Sequence, residues 1–206
     1  MLLDPFPILY DGADTSFGLE MGTGFFEDMF PKGITLHYTA SHSAENAIKY
    51  LRTTNKRYHL LIDPSGITYQ TMYFNQTVNH AGSAYWNSLS PNANHISVAI
   101  VSWGKLTMNM GEYFTWVKTP IRTEEVRVIK DKDRILSFWH KATKEQINAL
   151  ISFCVFAAKY GIDPDNICGH DECCIPRGRK EDPGHILPFT MEELRDIIKK
   201  NQMLLS

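Results

Sequence analysis

The chain has 206 residues, 43% of them hydrophobic, enough for one globular domain with its own core, and it is not a small scaffold that must be stapled by disulfides. A formal net charge of -2 supplies no cationic field, so neither nucleic acid nor an anionic membrane is expected as a partner. The opening MLLDPFPILYDG lacks a basic start and has its apolar run cut by Asp4 and Pro5, so it reads as neither signal peptide nor membrane span, and synthesis as a soluble cytoplasmic protein is expected.

Residues 1 to 32 show no clear periodicity and read as a lead-in that packs over the domain or borders its groove. The run GITLHY, residues 33 to 38, is strand-like and carries His37 near its end, before the small residues Thr39 and Ala40, as expected for a strand that delivers a side chain at its C-terminal end. Ser41 and Ser43 offer N-caps for a helix whose Ala44, Ile48 and Leu51 share one face. YHLLI and ITYQTM flank the turn sequence DPSG, which predicts an antiparallel hairpin over residues 58 to 72 with Tyr58 and His59 on opposite faces. HISVAIV, residues 95 to 101, is long and β-branched enough for a buried strand.

Residues 102 to 141 carry Trp103, Tyr113, Phe114, Trp116 and Trp139 interleaved with Thr and Val, and read as a β-hairpin arm inserted in the domain. Packing of these aromatics onto the domain is favoured over stacking on sugar rings, because aromatic side chains mostly serve as buried area. Thr143 and Gln146 form a capping box for a helix with Ile147, Leu150, Ile151, Cys154 and Ala158 on one stripe, ended by Gly161. Thr190 and Glu193 repeat that logic for a last helix that turns Leu194, Ile197 and Ile198 inward. Strands alternating with helices around an apolar central strand predict a single α/β domain over 1 to 206, with a mixed sheet flanked by helices.

The most informative stretch is CGHDECCIPRGRKEDPG, residues 168 to 184, where Pro176, Gly178, Pro183 and Gly184 hold His170, Lys180 and Asp182 in a loop. An imidazole and a carboxylate are two of the three protein ligands that a catalytic zinc ion needs, and His37 is the best source of the third. Cys173 and Cys174 are adjacent and no CxxC pair exists, so reduced thiols are expected. A separate metal site from Cys168, Cys173 and Cys174 is the rival, but it lacks ribbon or finger spacing.

ITLHYTA, YHLLIDPSGITYQ, NHAG, GHDE and RKEDPG occur in an order that resembles the zinc-dependent N-acetylmuramoyl-L-alanine amidases, the group of amidase-type phage lysozymes and peptidoglycan recognition proteins. The resemblance covers roughly residues 33 to 190 and implies zinc held by His37, His170 and Asp182. It also implies hydrolysis of the amide between N-acetylmuramic acid and the L-alanine of the peptidoglycan stem peptide. In it Tyr58 falls at an active-site tyrosine that assists at the zinc water or the oxyanion, Lys180 at a lysine that stabilises transition-state charge, and His80 at a groove histidine near substrate. Arg179 and Glu181 are expected to be structural, with His185 close behind Asp182.

The span from His170 to Asp182 is longer than the usual pattern by two residues, which predicts a bulge within CCIPRG with the ligands intact. The recycling branch of the family carries a catalytic glutamate on the 95 to 101 strand, whereas no acidic residue occurs from Pro64 to Gly111 here. The resemblance therefore favours a phage-type endolysin, a monomer acting on peptidoglycan or muropeptides after release or delivery to the wall. The alternatives are a non-catalytic peptidoglycan-binding module, disfavoured because all three ligand positions are filled, and an intracellular muropeptide-recycling amidase.

Overall fold

Alternation along parallel strands decides which residues can meet in this molecule. The computed structural model describes residues 5–132 and 134–205, so the first four residues of the lead-in and position 133 of the arm lie outside the described residues. In chain order the strands are β1 (Gly24–Phe25), β2 (Gly33–Tyr38), β3 (Leu60–Ile62), β4 (Thr68–Gln70), β5 (Gln76–Thr77) and β6 (His95–Ile100). The arm holds β7 (Lys105–Asn109), β8 (Glu112–Phe114), β9 (Pro120–Ile121), β10 (Val126–Asp131) and β11 (Arg134–His140), and β12 (Ile167–Gly169) follows. The helices are α1 (Ala44–Arg52), α2 (Pro91–Asn94), α3 (Lys144–Lys159), α4 (His170–Cys173) and α5 (Met191–Leu205).

The central sheet has the order β12-β2-β6-β3-β4, parallel throughout except for the β3–β4 hairpin. Ile34 and Leu36, Leu60 and Ile62, and Ile96, Val98 and Ile100 pack in one core with Leu150, Phe153, Cys154, Leu194 and Ile198 of α3 and α5. Leu61 and Ala99 face the other way, against Ala47 and Ile48 of α1. The mixed α/β domain expected from the pattern is therefore present, with helices on both faces of the sheet.

Local chemistry explains the element ends. Ser43 accepts from the Asn46 amide (3.2 Å) and starts α1. In the DPSG turn the Asp63 carboxylate accepts from the Ser65 and Ile67 amides, and Gly66 takes the positive φ of 86°. The outer edge of β4 is covered by the lead-in: the Asp14 amide donates to Thr68 O (2.8 Å) and the Gln70 amide to Asp14 O (3.0 Å). Phe6 completes the core edge-on against Phe30, Phe74 and Phe156.

The arm is more than the expected hairpin. Its strands form an antiparallel five-stranded sheet of order β10-β11-β7-β8-β9, since two further turns within residues 102 to 141 fold the ribbon back on itself. Trp139, 3% exposed, packs at its root beside Tyr38 and His185. On α3 the fully buried stripe is Leu150, Phe153, Cys154 and Ala157, while Ile147 and Ile151 are half-buried at its margin.

Gln146 does more than cap. Its Oε1 accepts from the Thr143 amide (3.0 Å), and its buried Nε2 donates to Ile62 O (3.0 Å) and Val101 O (2.8 Å), tying α3 to the ends of β3 and β6. Gln146→Ala strips a cap and leaves a buried carbonyl unpaired, so we expect a loss of about 2–4 kcal/mol in urea unfolding. A loss under about 1 kcal/mol would assign the junction to packing alone.

Candidate active site

His37 lies near the end of β2, and His170 opens α4 directly after β12, the neighbouring parallel strand. Both imidazoles are thus delivered at the C-terminal edge of the sheet, where strand ends of parallel sheets present ligands to a crevice. Asp182 arrives from the loop after α4, whose register is fixed where the Asp171 amide donates to Asp182 O (2.8 Å). The potential ligand atoms of His37, His170 and Asp182 all lie within 4.8 Å of one another. Asp182 Oδ2 is 2.7 Å from His37 Nδ1 and 2.9 Å from His170 Nδ1.

The hydrogen bonds behind the imidazoles set their tautomers. His170 Nε2 lies 2.8 Å from Ala81 O, and a carbonyl only accepts, so Nε2 carries the proton. His80 Nε2 likewise donates to Pro91 O (3.2 Å). Burial, reinforced by neighbouring imidazoles, pushes His80 well below the ordinary histidine value, so the ring is neutral and its Nδ1 accepts from His37 Nε2 at 3.0 Å. Burial also lowers the pKa of His37, against the pull of Asp182. With Nε2–H of each ring committed to these partners, the neutral tautomers of His37 and His170 would each aim an Nδ1 lone pair at the same carboxylate.

For Asp182, burial works toward protonation, but hydrogen bonds and positive charge from His170 and His37, when these rings carry a second proton, outweigh it and hold the carboxyl well below its usual range; a cation shared among the three groups takes the place of those protons. Two lone pairs and a carboxylate oxygen converging this closely repel one another unless a cation lies between them. Two neutral imidazoles and one carboxylate also form a donor set suited to zinc, with the fourth position left to water or substrate. The residues present fit such an ion.

Above this cluster opens a cleft of about 370 Å³ lined by Tyr38, Lys56, Tyr58, His80, Lys180 and Asp182, among others. The Tyr58 ring lies 4.9 Å from that of His37. Burial, reinforced by Asp182, raises the Tyr58 phenol far above its ordinary value, and burial raises Tyr38 to about 12. Lys180 borders the cleft, half-buried, with no hydrogen-bond or ion-pair partner among the described residues. His80, 5% exposed, touches the cleft wall but spends both ring nitrogens on His37 and Pro91. His59 does not line the cleft; it is buried, with Nδ1 on Ser97 Oγ and Nε2 on Gln76 O.

The loop between the ligands is clamped rather than free. Arg179 donates to Ala81 O (3.0 Å), Ser83 O (2.7 Å) and Ile175 O (3.0 Å), fastening the extra residues of CCIPRG to the loop that carries His80. Glu181 turns outward to Lys105 of the arm (2.6 Å), and His185 packs on Trp139. Cys168 and Cys173 are buried behind the site with Ala81 and Ala84, and no cysteine joins a metal-binding cluster among the described residues. Sequence reasoning missed Asn92, whose Oδ1 accepts from the His80 (3.0 Å) and Ala81 (2.8 Å) amides, and the carbonyls of Ala81 and Pro91.

The family model described as N-acetylmuramoyl-L-alanine amidase matches residues 27–185, a span that includes all three potential ligands. The chain belongs to this amidase family. Among solved structures, AmiD from E. coli, in complex with anhydro-N-acetylmuramic acid-L-Ala-D-gamma-Glu-L-Lys, is 19% identical with a TM-score of 0.59, covering 86% of this chain and 60% of AmiD. AmpDh3 from Pseudomonas aeruginosa is 20% identical with a TM-score of 0.57, covering 90% of this chain and 66% of its own. The endolysin LysCS from Clostridium intestinale is 17% identical with a TM-score of 0.52, over 88% of this chain and 92% of that one. At these identities the likeness establishes the fold, and this amidase-family chain spans less than two thirds of the length of AmiD and AmpDh3. No sequence among curated proteins matches it.

Because His80 fixes the His37 tautomer, His80→Ala is expected to weaken zinc binding by about 10–100-fold, and Asp182→Ala to abolish stable retention. Chelator competition measures both. Unchanged affinity in His80→Ala would remove the imidazole chain from the account of the site.

Proposed function

We propose that the chain is a zinc-dependent hydrolase of the amide between N-acetylmuramic acid and the L-alanine of peptidoglycan, working as a phage-type endolysin. The observation that carries this reading is the convergence of His37 Nδ1, His170 Nδ1 and Asp182 Oδ2 at the floor of a cleft. When bound there, zinc supplies a Lewis acid for the scissile carbonyl and brings the pKa of a water ligand to about 7. The muramoyl-L-alanine linkage in the ligand of AmiD supports placing that amide in the cleft.

The residues of the chain orient and stabilise. Tyr58, kept protonated by burial, donates its Oη proton to the substrate oxygen rather than acting as a base at neutral pH. Lys180 brings an unpaired positive charge to the side where negative charge builds on the carbonyl oxygen. On β6 the residue paired with His37 is Ala99, so a strand carboxylate is absent beside the ligand. This supports the tyrosine-type, endolysin arrangement over muropeptide recycling.

Incubation of purified sacculi with zinc-loaded and chelator-treated protein, followed by mass analysis, tests the proposal. Free stem peptides beginning with L-alanine are expected only with zinc, and retention on sacculi without cleavage would replace the hydrolase by a binding module. Lys180→Ala and Tyr58→Phe should each keep zinc while lowering kcat by about 10²-fold, the scale of one lost oxyanion contact. Wild-type rates in both variants would leave the oxyanion without its assigned partners.

A further inference from the structure

One aromatic ring of the arm stands apart from those that pack at its root. Between β8 and β9 the chain turns tightly at Thr115, which is fully buried: the Thr115 amide donates to Thr119 O (2.9 Å), the Lys118 amide to Thr115 O (3.0 Å) and the Thr119 amide to Thr115 Oγ1 (3.1 Å). This fixed turn throws Trp116 back over the domain, where its Nε1–H donates to Ala40 O at 3.0 Å. Ala40 itself has a positive φ of 53°, uncommon for a residue with a Cβ, and it is this backbone whose carbonyl Trp116 uses. The indole thus has its only polar atom satisfied while remaining 65% exposed.

Opposite it, Tyr50 of α1 is 68% exposed, and together with Trp103 and Val117 the two rings bound a pocket of about 370 Å³. No charged side chain lines this pocket, and Asn46 and Ser41 supply polar groups within its wall. Thr39 and Ala40 line both it and the cleft over His170 and Asp182, so the two cavities lie side by side. Away from the arm, the cleft instead adjoins a polar basin that it shares at Lys56 and His80, lined also by Asn55, Asn79 and Asn92.

A muramoyl amide joins two chemically unlike halves, a neutral chain of pyranose rings with apolar C–H faces and a peptide carrying free carboxylates. The lysine-bearing basin suits the second, whereas bare aromatic faces with a few amide and hydroxyl groups suit the first. We propose that the Trp116–Tyr50 pocket is a saccharide subsite that holds a pyranose ring of the glycan strand next to the muramoyl residue being cleaved. This rests on the amidase reading of the adjacent cleft, and it makes the inserted arm the part of the enzyme that reads glycan.

A peptide-free tetrasaccharide of alternating N-acetylglucosamine and N-acetylmuramic acid contains no scissile amide, so binding to the zinc-loaded chain is read by tryptophan fluorescence without turnover. Saturable binding is expected in the wild type. Trp116→Ala and Tyr50→Ala should each weaken it by about tenfold, the scale of one lost aromatic contact, and Trp116→Phe should recover most of the loss. Both side chains are exposed, so thermal melting should be unchanged. On glycan-attached substrate, Trp116→Ala should raise KM with kcat close to wild type. Tetrasaccharide binding that is absent in the wild type or indifferent to Trp116 overturns the subsite, as does a concentration-dependent dimer dissolved by Trp116→Ala, which would give the face to a second copy. Loss of the amidase reading looks different: Trp116-dependent binding would persist while sacculi released no stem peptide.

Discussion

His37 is held from behind by a neutral imidazole, and most of the site follows from that contact. Pro91 O accepts from His80 Nε2, His80 Nδ1 accepts from His37 Nε2, and the remaining lone pair of His37 points at Asp182. Each link leaves only one choice to the next, because a backbone carbonyl cannot donate and a buried imidazole resists a second proton. Ala81 O does the same for His170. Two consecutive residues, His80 and Ala81, therefore orient both imidazoles of the candidate site, and both amides are anchored on the Asn92 side chain. Displacing this short loop would disturb tautomer, ring direction and cleft wall together.

The pleat of the sheet makes room for this polar machinery beside a dry core. Residues 34, 36, 96, 98 and 100 point toward α3 and α5 and are uniformly aliphatic, whereas Thr35, His37, His95 and Ser97 alternate with them and are fully buried on the other face. That second face stays buried because most of its polar atoms satisfy one another, as Thr35 Oγ1 does with His95 Nδ1 (2.9 Å) and Ser97 Oγ with His59 Nδ1 (2.9 Å), although His95 Nε2 has no hydrogen-bond partner among the described residues. A one-residue slip of β2 would send His37 into the aliphatic layer and Leu36 into the site.

Features that depend on residue identity were legible in the sequence: β2 and the histidine near its end, the Ser43 and Thr143 caps, the DPSG turn, and the convergence of His170 with Asp182, although His170 opens the short helix α4 instead of lying in the loop expected for it. What escaped belongs to the backbone or to distant pairing. The carbonyls of Ala81 and Pro91 carry no side-chain signature, and Asn92 reads as an ordinary turn residue in SPNAN. Gln146 is visible as a cap, but its second bond pair to Ile62 and Val101 needs strands more than forty positions away. The arm reads as a hairpin because alternation reveals strands while staying silent on which strands pair, and β11 pairs with both β10 and β7.

That pairing bears on the candidate metal site, because the arm and the loop that carries Asp182 are packed together. Trp139 on β11 fills the space that a side chain at position 184 would need, where a Cβ would lie 2.6 Å from its ring and the backbone φ is already positive at 55°. Only glycine meets both conditions two residues after Asp182. Lys105 on β7 pairs with Glu181 one residue before it, and the same ammonium lies 5.8 Å from the Trp139 ring. The ion pair is half-exposed and contributes little stability by itself, so the buried Trp139–Gly184 contact is the stronger tie. The arm is thereby a buttress at its root, where it fixes the approach of Asp182, and a binding surface only at the turn that carries Trp116.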